Sequence, residues 1–106
     1  NDPTVLEASR VLAENISVQQ KDLEEKIEQA FETILARDPS KFEKNKLLEY
    51  CQKQKVFFNE NPDLLNQTLE VGEYAHPNEE FSKLEAGALM KTILVIYNLE
   101  EAITRT

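Results

Sequence analysis

A chain of 106 residues has material for one hydrophobic core and not two. Its 41% apolar and 30% charged content is that of a folded, soluble protein rather than a disordered one. A formal charge of −8 disfavours nucleic acid as a partner, because that affinity comes mainly from Lys and Arg displacing counterions, and it disfavours an anionic membrane surface for the same reason.

With two glycines, four prolines and no clustered alternation of β-branched residues, helix is favoured throughout. Asp2-Pro3 is a good helix start: Asp accepts from the free amides and Pro fits the first helical position. Val5, Leu6, Val11, Leu12 and Ile16 then supply an apolar face. Ser17 followed by Gln20 matches a capping box and predicts a break near Ser17, with one helix running through Arg37 as the alternative. From Val18 through Leu23, Ile27, Ala30, Phe31, Ile34 and Leu35 runs the clearest amphipathic stripe, with Asp22, Glu24, Glu25, Lys26, Glu28 and Glu32 assigned to its polar side. Pro39 stops this helix, since it disfavours helical geometry in the residue before it.

Asp38 or Ser40 is placed to cap a third helix reaching Phe58, with Phe42, Leu47, Leu48, Cys51 and Val56 as its approximate inner stripe. This segment is the one basic stretch: residues 38–58 carry five lysines against three acids, whereas both flanks are acidic. Glu43 and Glu49 interleave with the lysines, so it reads as a solvated helix face. Asn61-Pro62 repeats the opening cap-then-proline arrangement and predicts a short fourth helix, with Leu64, Leu65, Leu69 and Val71 inward, ending at Gly72. The turn Tyr74 to Asn78 leads, with Asn78 as cap, into a last helix over Phe81 to Ile103. From Ala86 to Tyr97 only Lys91 and Thr92 interrupt apolar or small residues. A helix apolar on nearly all sides must be covered on nearly all sides, so this one is either the centre of the fold or a surface for another chain.

The expected architecture is therefore an all-α, single-domain bundle of four or five helices over residues 1–106, with the apolar C-terminal helix at its centre. Predicted core residues include Ile27, Phe31, Leu65, Ala88, Ile93 and Leu99. The Ala86–Tyr97 run is shorter than a membrane span requires. The chain opens on Asn1 rather than Met without a signal-peptide pattern, which fits an excised domain or a processed product. A lone Cys51 forbids an intrachain disulfide and points to a reducing, cytoplasmic setting.

Little in the sequence reads as chemistry. One His and one Cys in different segments lack metal-ligand spacing. Cys51, on a helix face between Tyr50 and Leu48, is read as a small core residue. Adjacent carboxylates such as Glu24/Glu25 and Glu79/Glu80 diverge by about 100° on a helix and do not form an acid–base couple. Gly72 and Gly87 alone cannot build a phosphate loop. No catalytic residue, cofactor or metal is therefore assigned.

Tyr74-Ala75-His76-Pro77 before a long apolar helix resembles the stretch that precedes the last helix of HEPN-like helical bundles. That resemblance implies RNA binding or cleavage through His76. The nuclease members carry an Arg a few residues before the His, whereas Gln67 to Tyr74 contains none. The residues favour instead a non-enzymatic interaction module, a regulatory, adaptor or scaffold domain that binds another protein or a second copy of itself. Its candidate contacts are Tyr50, Phe57, Phe58, Tyr74, His76 and Tyr97, together with a groove beside the last helix. A third reading, a small acidic inhibitor or immunity-type protein that masks a basic active site, follows from the net charge.

Overall fold

The computed structural model describes residues 2–70 and 82–104, the last five of these by backbone alone. Five helices succeed one another: α1 (Pro3–Ser17), α2 (Leu23–Leu35), α3 (Lys41–Glu60), α4 (Pro62–Leu69) and α5 (Lys83–Thr104). No strand occurs among the described residues. The fold is an all-α bundle, and α5 packs against each of the other four helices.

Each helix boundary has a local cause. Asp2 Oδ1 accepts from the Thr4 amide at 2.8 Å with Pro3 in the first turn, so α1 starts where the sequence places it. The break after Ser17 is real, but its chemistry differs from the expected capping box. The Ser17 hydroxyl donates back to the Glu14 carbonyl at 3.0 Å, which removes it as a cap for the next helix. Asp22 caps α2 instead, with Glu25 closing the box. Ala36 ends α2 in the left-handed region at φ 57°, its amide donating to the Glu32 carbonyl at 2.9 Å. Ser40, rather than Asp38, caps α3 and forms a box with Glu43. Asn61 does not cap α4; its side-chain amide donates to the Phe57 carbonyl at 2.8 Å and so satisfies the end of α3. Ser82 accepts from the Glu85 amide at 3.4 Å at the start of α5. The caps and turn expected at Gly72 and Asn78 lie outside the described residues.

Between Ala86 and Ile96 every residue is buried except Lys91 and Val95, which are half-buried. The four shorter helices thus cover the apolar helix, and its central position follows. Its main core joins Ala13, Ile16, Ile27, Ala30, Phe31, Leu47, Cys51, Leu89, Met90, Ile93 and Ile96. A second cluster gathers Phe58, Leu65, Leu69 and Ala86 where α3, α4 and α5 meet. At that junction Gly87 allows close approach: a Cβ added there would meet Leu65 Cδ1, which would have to shift, and would touch the Phe58 ring.

Several expected core assignments shift by part of a turn. On α1 the innermost residues are Ser9, Arg10, Ala13, Glu14 and Ile16, while Val11 and Leu12 are half-buried. On α3 the inner line is Leu47, Cys51 and Phe58, while Phe42 and Val56 point outward. Leu64 and Leu99 are exposed rather than inward. Phe42, Val56 and Leu64 fall more than a quarter turn from the line that meets α5, whereas Leu12 still packs against the main core and Leu99 lies on α5 beyond its buried stretch.

Candidate interaction surface

Buried charges are the chemistry that sequence periodicity missed. Lys26, assigned to the polar side of α2, is buried, and its ammonium donates to the Ser17 carbonyl at 2.8 Å and to Glu85 Oε1 at 2.7 Å. One amine thereby meets the carbonyl end of α1, where the helix dipole favours a cation, and a carboxylate in the first turn of α5, where it favours an anion. Arg10 and Glu14 form a second buried pair, 2.9 Å apart on one face of α1. A charged residue within a helix carries no sequence mark of its own burial. The one available signal is spacing, since Lys26 precedes Ala30 by four residues and follows Leu23 by three.

The Arg10–Glu14 pair is closed to solvent, whereas Glu85 keeps 20% of its side chain exposed beside the buried Lys26. Every buried side-chain nitrogen and oxygen among the described residues has a hydrogen-bond partner. No three His, Cys, Asp or Glu among the described residues converge as a metal site. Cys51 is fully buried, and that burial pushes its thiol up, with the Thr92 hydroxyl acting in the opposite direction. A thiol so placed is a packing group, since the reactive species is the thiolate. Glu25 is held in its capping box and Glu24 leans toward Lys44 at 3.8 Å, so that carboxylate pair is divided between two tasks.

The candidate contact residues separate in space. Tyr50 is half-buried, and loss of solvent pushes its hydroxyl up. Phe58 is 1% exposed and belongs to the second core cluster, which corrects its assignment to a surface patch. Phe57, edge-on to Phe58 with ring centroids 5.6 Å apart, remains 44% exposed. Tyr97 is half-buried against the main core. Tyr74 and His76 lie outside the described residues.

Two residues that the sequence reading placed inside join Phe57 on the surface: Phe42, 71% exposed, and Val56, 61% exposed. They stand on the face of α3 opposite Leu47 and Cys51, with Lys46 and Lys53 between them along the helix. Lys46 places its ammonium 5.7 Å from the centre of the Phe42 ring, within reach of a cation–π attraction. Lys53 pairs with Glu49 at 3.2 Å, one turn away. At the N-terminal end, Arg37 clamps Glu43 with two contacts of 2.9 Å and stacks over the Phe31 ring at 4.8 Å, fixing the start of α3 on α2. Contact with α5 takes Leu47, Cys51 and Phe58 inward, which leaves Phe42 and Val56 on the other side of α3.

A groove of about 210 Å³ lies beside α5, lined by Leu6, Leu64, Gln67, Thr68, Met90, Lys91 and Leu94. It is smaller than the usual small-molecule pocket. No described helix is long and apolar enough to cross a membrane. Comparison with protein-family models, curated proteins and solved structures finds no match to this chain.

Proposed function

We propose that this chain is a non-enzymatic protein-interaction module that receives its partner on the outward face of α3. The observation that supports this reading is the exposure of Phe42, Val56 and Phe57 on a helix whose opposite face already fills the core. Single exposed apolar residues are ordinary on any protein. Three on one helix, two of them more exposed than any other large apolar residue described, mark a surface that gains by being covered.

The test compares the wild-type domain with a Phe42→Ser/Val56→Ser variant, whose changes touch no core position. The wild type is expected to recover a protein from extracts of its source cells, with slowed amide exchange along residues 42–57 in the purified complex. The variant is expected to keep its helical content and lose that protein. Equal recovery by both domains, or recovery by neither, would overturn the reading.

A further inference from the structure

The outward face of α3 also carries a charge pattern, and it specifies a partner. Residues 38–58 hold five lysines and three acids in a chain of net charge −8. Of those acids, Glu43 is engaged by Arg37, while Lys44 leans to Glu24 and Glu28 on α2 at 3.8 Å. The exposed strip carries Lys41, Lys46 and Lys53, with Glu49 paired to Lys53 at 3.2 Å and Glu60 at its C-terminal end, so Lys41 and Lys46 are its uncompensated charges nearest Phe42. Phe42 and Val56 stand at its two ends, about 21 Å apart at 1.5 Å per residue and nearly in line after four turns.

We infer that this face docks an acidic amphipathic helix of another protein, an assignment that rests on the interaction-module reading above. The incoming helix seats apolar side chains on Phe42 at one end and on Val56 and Phe57 at the other. Its carboxylates meet Lys46 and Lys53 between those anchors. A helix suits the site better than an extended strand, because α3 offers side chains at helical spacing and no unpaired backbone edge.

Two other occupants fit less well. In an antiparallel pairing with a second copy that sets Phe42 on Val56, Glu49 faces its own image at the two-fold axis. Lys46 of one copy then stands beside Lys53 of the other on the same flank, a like-charge contact. An anionic bilayer would attract the lysines but would also meet Glu49, Glu60 and a strongly acidic molecule behind them.

The probe is a synthetic helix of about three heptads with Leu at seven-residue spacing and Glu on both flanks, and a control with Lys in place of Glu. Binding to the intact domain is followed by fluorescence anisotropy at two salt concentrations. The acidic peptide is expected to bind weakly and the basic one not at all. Lys46→Glu/Lys53→Glu should weaken the acidic peptide about tenfold and transfer preference to the basic peptide. Phe42→Ser/Val56→Ser should remove binding of the acidic peptide. Circular dichroism checks that these surface variants stay folded.

Indifference to the charge reversal would overturn the inference. So would a homodimer in sedimentation that the Phe42→Ser/Val56→Ser change disperses, or preference for phosphatidylserine vesicles over the acidic peptide. A cellular partner that binds wild type and Lys46→Glu/Lys53→Glu equally would leave the interaction module standing and remove this assignment alone.

Discussion

Lys26 does at one residue what the caps do at the helix ends. A buried ammonium is tolerated because a carboxylate and a backbone carbonyl both accept from it. Lys26→Ala should therefore lower the unfolding free energy by about 3 kcal/mol, the usual scale for breaking a buried pair by removing one partner. Lys26→Met/Glu85→Met, which removes both charges, should cost much less, and urea denaturation of the two variants measures the difference. Ala36 presents the opposite case. It holds a left-handed conformation that disfavours any side chain with a Cβ. Ala36→Gly should raise stability by about 0.5–1 kcal/mol, seen as a higher thermal midpoint. A lower midpoint would mean that the Ala36 conformation carries no such penalty.

At the scale of elements, the end of α3 nearest α2 is tuned by acid. Arg37 and the Ser40 amide hold the Glu43 carboxyl down at about 2 from an ordinary 4.5. The folded state thus binds that proton less readily than the unfolded chain does. The stabilisation is fully present above pH about 4.5 and disappears as the pH falls toward 2. Glu32 acts with the other sign, since Asp38 beside it raises its pKa and favours the folded state on the acid side. Glu43→Gln should flatten the loss of stability between those two pH values, read from thermal midpoints against pH. A variant with the wild-type slope would show that the Arg37 clamp contributes nothing.

The junction of α4 and α5 has its own steric signature. Leu65→Ala should cost about 2–4 kcal/mol through the cavity it leaves. Gly87→Ala alone sets a gain in helix propensity against displacement of Leu65. Combined with Leu65→Ala, the same glycine change should become stabilising, because its methyl enters the space vacated. Additive effects in that double-mutant cycle would contradict the close approach.

For the whole molecule, the architecture could be read from the sequence because its strongest signals are local. Pro3, Pro39 and Pro62 mark helix starts or stops, the stripe on α2 has one solution, and the apolar run of α5 demands cover. Rotation of the weaker helices could not be read. On α3, apolar residues lie on several sides, and only contact with α5 selects Leu47, Cys51 and Phe58 for the interior. The candidate surface failed to emerge for the same reason, since Phe42 and Val56 become exposed only once that rotation is fixed. Lys26 was hidden because its partner Glu85 is distant in sequence, and Arg10 and Glu14 because an i,i+4 pair reads the same in sequence whether it is exposed or covered.

Charge at this scale yields a further prediction. Excess negative charge repels itself in the compact state. Raising sodium chloride from 0.05 to 0.5 M should increase the thermal midpoint through screening, although the same salt weakens docking on the lysines of α3. A midpoint that falls with salt would show that the ion pairs, rather than the net repulsion, dominate.

The central position of α5 also has a consequence for how the chain comes into being. The helix on which the other four pack is synthesised after all of them. As the first seventy residues emerge from the ribosome, their apolar stripes have no common surface on which to close. They remain open to chaperones or to premature self-association until the Lys83–Thr104 segment is free. The earlier helices therefore stay unprotected for at least the time taken to synthesise that final helix.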